Sequence, residues 1–187
     1  MSSNQEEIRY SVSADDHIVS LAGNWLPFAK ENDAIEFSQS RVVGESIWNF
    51  IAGPEIRHLY KLIFTEVRQR RPEIAVPFRC DSPTKRRFME LRIVRLHDAG
   101  LNLMSCLLKE EERPYQVLLD SKVDSSWLVT ICSWCKRIRL DSGQWVEVEA
   151  AVEELGVFDA ECTPLLSHGI CGHCKDAALK EIAVSKT

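Results

Sequence analysis

Cys132-Ser133-Trp134-Cys135 and Cys171-Gly172-His173-Cys174 are two Cys-x2-Cys pairs with 35 residues between them. A Cys-x2-Cys turn brings both sulfurs to one side of a tight loop, so two such turns supply the four corners of a tetrahedron. That is the ligand set of a closed structural zinc site, with one zinc per chain on Cys132, Cys135, Cys171 and Cys174. Four thiolates around a divalent ion leave excess negative charge. Lys136, Arg137 and Lys175, beside the ligands, are placed to offset it. His168 and His173 flank Cys171, and either is a possible replacement for one thiolate; His168 is better suited to orienting the loop. Cys162, between the pairs, reads as a small core or loop thiol.

The two pairs also set the redox context. The chain has seven cysteines in 187 residues, an odd number with four at metal spacing, which fits a reducing compartment. No apolar run approaches the ~18 residues that cross a membrane. Met1 to Glu7 is polar and lacks the pattern of a signal peptide. The expectation is a cytoplasmic protein with no membrane partner. A net charge of −5 argues against nucleic acid, and the basic clusters Arg68–Arg71 and Lys85–Arg87 read as solvated faces.

Ahead of the first pair the pattern is that of an α+β domain. Ile8 to Leu21 reads as two strands around a turn at Asp15-Asp16. Asn24 to Ile51 is interrupted by Pro27, Asn32-Asp33 and Gly44, so short elements are expected, with Trp25, Phe28, Phe37, Trp48 and Phe50 as core. Pro54 and Glu55 open a long helix whose apolar stripe is Ile56, Leu59, Tyr60, Ile63 and Val67. Three strands follow: Ile74 to Cys80, Phe88 to Val94 and Leu101 to Leu108. Glu110 to Pro114 is charged and ends in a helix breaker, which closes this domain. Residues 111–126 then form a linker carrying the short apolar cluster Val117–Leu119.

This order of elements, with Val42-Val43-Gly44-Glu45-Ser46-Ile47-Trp48-Asn49-Phe50-Ile51 ahead of the long helix, resembles a PAS sensor domain over residues 8–110. Pro77-Phe78-Arg79-Cys80-Asp81-Ser82-Pro83, followed by Arg86-Arg87-Phe88-Met89, is similar to a bacterial PAS subgroup of signalling proteins. The resemblance implies an antiparallel sheet with short helices and one long helix. It also implies a site for haem, flavin or a small metabolite between sheet and helices, or else a module that binds nothing and dimerises. The flavin-photosensor motif Gly-x-Asn-Cys-Arg-Phe is absent. His58, on the long helix, is the one candidate axial ligand if haem is present; its neighbours make a surface histidine the better reading. His17 and His97 sit in turns.

Residues 127–187 read as a second unit. Ile138 to Leu140 and Trp145 to Val148 form a hairpin around Asp141-Ser142-Gly143-Gln144. Ala150 to Leu155 is a short helix stopped by Gly156, a loop with Pro164 follows, and Cys174 opens a closing helix through Ala178, Leu179 and Ile182. A knuckle, a hairpin and a helix contributing ligands from its first turn is a treble-clef-like layout. Ile131-Cys-Ser-Trp-Cys-Lys-Arg-Ile-Arg139 with Gly143-Gln-Trp145 and Ser167-His-Gly-Ile-Cys-Gly-His-Cys174 resembles a C-terminal module of bacterial proteins that carry PAS, GAF or receiver domains. A unit this small needs a metal to fold, and structural zinc supplies roughly 10–16 kcal/mol. The expectation is therefore that metal loss unfolds residues from about 127 onward and spares the first domain.

No catalytic motif for a nucleophile, a phosphate loop or an open metal site is present, and a four-cysteine zinc has no free position for water. The reading is a non-catalytic signalling or sensor protein. In it a PAS domain is coupled to a structural zinc module that presents a surface to a protein partner, with a homodimer expected. A thiol-based or iron-containing redox switch is the alternative, and a DNA-binding zinc regulator the second.

Overall fold

The computed structural model describes residues 7–25, 27, 39–82, 84–113, 122–156 and 162–183. The expectations for Phe28, Phe37, Asn32-Asp33, Val117–Leu119 and the side chain of Cys162 lie outside what is described. The fold is mixed α+β, built on two sheets. Strands β1 (Glu7–Val12), β2 (Ile18–Gly23), β3 (Glu73–Arg79), β4 (Lys85–Arg95) and β5 (Leu101–Glu112) form an antiparallel sheet in the order β2-β1-β5-β4-β3. The register lines up Leu21, Tyr10, Leu103, Ile93 and Ile74 across all five strands. Period-2 alternation puts that row on one face, together with Val12, Val76, Leu91 and Leu101.

Between β2 and β3 the described residues include a helical turn, α1 (Gln39–Val42), a 3₁₀ turn at Ile47–Asn49 and the long helix α2 (Pro54–Gln69). Leu59, Ile63, Phe64 and Val67 of α2 are buried against the sheet, following the stripe at i, i+4, i+5 and i+8. Full burial of Ile63 and Phe64 is worth about 1.5–3 kcal/mol each. Trp48 and Tyr60 pack on Phe64 at ring separations of 5.5 and 6.1 Å. Asp16 ties the β1–β2 turn to this layer: its carboxylate accepts from Trp48 Nε1 at 3.0 Å and from Arg68 at 2.8 Å.

The second sheet has the order β8-β7-β6-β9. It comprises β6 (Lys122–Cys132), the hairpin β7 (Ile138–Arg139) and β8 (Trp145–Val146), and β9 (Cys162–Gly169); α3 (Val148–Glu154) lies between β8 and β9, and α4 (Gly172–Ala183) follows β9. Three expectations change here. The loop around Pro164 is strand β9, paired in parallel with β6. The linker expected at 111–126 has strand at both ends, because β5 runs to Glu112 and β6 begins at Lys122. The charged run Glu110–Glu112 is the end of β5, where it pairs across the ladder with Arg87, Arg86 and Lys85, so those cations are matched there instead of forming a solvated face. Among the described residues, no helix is long and apolar enough to cross a membrane.

The apolar core does not divide at the expected boundary. One cluster joins the first sheet and α2 to Cys132, Trp134, Cys171, Cys174 and Ala178. A second, around Val129, Ile138, Leu140, Val148, Ala151 and Val152, lies under the hairpin and α3.

Candidate metal centre

β6 delivers Cys132 at its last residue, and the chain then reverses. Cys132 N–H donates to the Arg137 carbonyl at 2.7 Å, and Lys136 N–H donates back to the Cys132 carbonyl at 3.0 Å. Lys136 takes a φ of +61°, which turns the chain through the knuckle and leaves Cys135 facing Cys132. The neighbouring parallel strand β9 ends level with β6, since Cys132 pairs with Gly169 and Ser133 N–H donates to the Gly169 carbonyl at 2.9 Å. Cys171 and Cys174 follow at once. Helix α4 begins at Gly172, so Cys174 lies in its first turn, where free N–H groups favour negative sulfur. Cys171 N–H points at Cys132 Sγ and Cys174 N–H at Cys171 Sγ, each at 3.4 Å.

The four sulfurs of Cys132, Cys135, Cys171 and Cys174 lie within 4.8 Å of one another, which makes them a group able to hold a metal ion. Cys135 Sγ and Cys171 Sγ are 3.7 Å apart. A tetrahedron with metal–sulfur bonds of ~2.3 Å has edges of about 3.8 Å, so the spacing fits four thiolates on one ion. It is far from the ~2.0 Å of a disulfide. Three of the four are buried, and Cys135 is half-buried.

The charges lead to the same arrangement. Hydrogen bonds from the Cys135 and Cys174 thiols hold Cys132 far below the ordinary thiol range, as the thiolate. The same bonds, seen from the other side, push Cys135 up to about 11 and Cys174 higher still. Like charges this close in a low-dielectric site cannot all form without a cation. A metal ion entering the cluster displaces the protons that the other thiols still carry, so acid opposes its binding. Arg137, set first by its hydrogen bond to Glu147, also feels Cys135 and Cys171. Lys136 turns its Nζ to the Ser133 carbonyl at 2.8 Å.

His168 and His173 are exposed and stand outside the sulfur group. His58 is exposed too, in a groove between α2 and α4. The cavity between sheet and short helices, about 490 Å³, is lined instead by residues including Tyr10, Leu21, Ile47, Ile51 and Tyr60. The haem role weighed for His58 does not suit that placement, because the imidazole sits on another side of α2.

Comparison adds no family to this geometry. The chain matches no protein-family model and no curated relative.

Two residues at the site were not assigned to it from the sequence. Trp134, inside the first Cys-x2-Cys, is buried and meets the ring of Tyr60 edge-on at 6.3 Å. Arg79, at the end of β3, donates its N–H to the Trp134 carbonyl at 2.6 Å. Its guanidinium meets Asp81, and Glu147 ahead of α3 at 2.6 Å. A tryptophan in a thiolate knuckle is the available sequence signal for the first; Arg79 lies in the quoted stretch Pro77 to Pro83, but nothing there points to the knuckle.

Proposed function

We propose that the chain is a non-catalytic signalling protein in which a PAS-like sensory domain is coupled to a structural zinc module, with a protein partner as its output. The observation that carries this is Tyr60. It lines the cavity between sheet and short helices, and the same ring packs on Trp134 between the metal-binding cysteines. Burial pushes its hydroxyl up to about 12, against the opposing effect of its hydrogen bond with Trp134. An occupant that moves Tyr60 moves the knuckle, because packed side chains shift in discrete steps.

Zinc is the metal that suits four thiolates at this spacing; it would fix the knuckle, and with all four positions taken it would leave none for substrate. The knuckle, hairpin and α4 with its first-turn ligand support the treble-clef-like description. The five-stranded antiparallel sheet with short helices and one long helix supports the PAS-like one. A homodimer through the solvent face of that sheet belongs to the same proposal, and a monomer mass from light scattering would remove it.

The test fills the cavity by mutation. Leu21→Phe should change the rate at which zinc passes to a chelator by several-fold, and adding Tyr60→Ala should cancel that response. If Leu21→Phe leaves zinc release unchanged while the chain holds one equivalent, cavity and knuckle are uncoupled and the reading fails.

A further inference from the structure

Beside the sulfur cluster, α2 and α4 run together and leave a groove of about 540 Å³. Its floor is Leu59 and Leu62 from α2 with Ile170 and Leu179 from around α4; Leu62 and Leu179 are each 37% exposed. His58 and Lys175 stand over the floor, and Glu55 is at one end. A shallower depression continues from His58 onto Arg57 and Lys61. Lys175 lines this groove with Glu55, while Arg57 and Lys61 lie further round α2 in the adjoining depression, on a chain of net charge −5.

Those cations differ from most arginines of the fold. Arg68 meets Asp16, Arg79 meets Asp81 and Glu147, Arg87 meets Glu110, and Arg137 meets Glu147. Arg57 instead donates to the Ile51 carbonyl at 2.6 Å, and Lys61 lies over the Trp48 ring at 5.2 Å. Neither they nor Lys175 has a carboxylate partner among the described residues.

We propose that this groove docks an acidic amphipathic segment of a partner protein. Apolar side chains at helical spacing would settle on Leu59, Leu62 and Leu179, with carboxylates reaching Lys175 and, past His58, Lys61. The apolar floor supplies affinity, and the rim charges supply orientation and on-rate. Ile170 and Lys175 are next to Cys171 and Cys174, so the groove keeps its shape only while the sulfur cluster is assembled. The inference rests on reading the chain as an interaction module.

The probe is a pair of fluorescein-labelled helical peptides of roughly 16 residues with one leucine pattern, flanked in one by glutamates and in the other by lysines. Fluorescence polarisation with the full zinc-loaded chain should show the glutamate peptide binding at least about tenfold more tightly, and more weakly at high salt. Lys61→Glu with Lys175→Glu, both exposed positions, should reverse the preference, and Leu62→Asp should abolish binding of both. Circular dichroism and one equivalent of zinc confirm that each variant is folded. No binding of the glutamate peptide, equal binding of the two, or a preference that survives the charge reversal would overturn the inference. So would a dimer that Leu62→Asp converts to monomer, since a second copy would then fill the groove. A chain whose zinc release answers Leu21→Phe but which ignores the acidic peptide loses this inference alone.

Discussion

Gly53 holds a backbone φ of +86° immediately ahead of α2, and a Cβ there would stand 3.0 Å from the carbonyl oxygen of His168. Two demands meet at one residue: the left-handed turn into the helix and the close passage of the loop that carries Cys171. Gly53→Ala should therefore cost more than the strain of a positive φ alone, about 1–3 kcal/mol, read as a lowered denaturant midpoint at unchanged slope. An unaltered midpoint would mean that the loop yields freely at this contact. From the sequence, Gly53 marks only the start of a helix; its neighbour across space is 115 positions away. The cysteines were legible for the opposite reason. Their spacing is short-range chemistry, and four thiols in two tight turns have few other arrangements open to them.

At the scale of elements, Arg79 and Asp81 form an ion pair at the end of β3 with side chains only 8% and 6% exposed, and Arg113 approaches the same carboxylate at 3.5 Å. Glu147 and Glu149, at the start of α3, complete the network through Arg79, Arg86 and Arg113. Burial alone would raise the Glu147 carboxyl, but hydrogen bonds from Arg79 and Arg137 bring it below the ordinary range. Removing one partner of a buried pair strands the other charge. Asp81→Asn should destabilise the fold by roughly 3 kcal/mol, and the loss should shrink in an Arg79→Met background. Additive losses in that cycle would show that the two groups act separately. The strands of the first sheet were readable because Ile74, Val76, Leu91, Ile93, Leu101 and Leu103 alternate. β6 and β9 were not. The first half of β6 is Lys122-Val-Asp-Ser-Ser126, without alternation, and β9 contains Pro164. Proline is admissible there because, among the described residues, β9 is an edge strand paired only with β6. Edge position and parallel pairing are properties of the assembled sheet, which no local pattern carries.

At the scale of the whole molecule, one of the two apolar clusters runs from the five-stranded sheet and α2 to the sulfur cluster, so packing crosses the boundary expected near residue 127. Cys135→Ser or Cys171→Ser should release the metal, while Cys162→Ser retains it. Hydrogen exchange in the two metal-free variants should rise through the knuckle and α4 and also along the face of α2 that carries Tyr60. The β4–β5 ladder, the most extensive pairing in the fold, should keep its protection. If the changes stop near residue 127, the two halves are independent after all and the continuity of the core has no energetic weight.

The parallel pairing of β6 with β9 has a consequence for synthesis. Each strand ends at one thiol pair, so the cluster closes only after both strands lie side by side. Cys171 leaves the ribosome 36 residues after Cys135, about 2–7 s later at 5–20 residues per second. During that interval the first pair is a two-thiol half-site, open to oxidants and to whatever soft metal is abundant. Which ion such a cluster takes up would then depend partly on what the nascent chain meets before its second strand arrives.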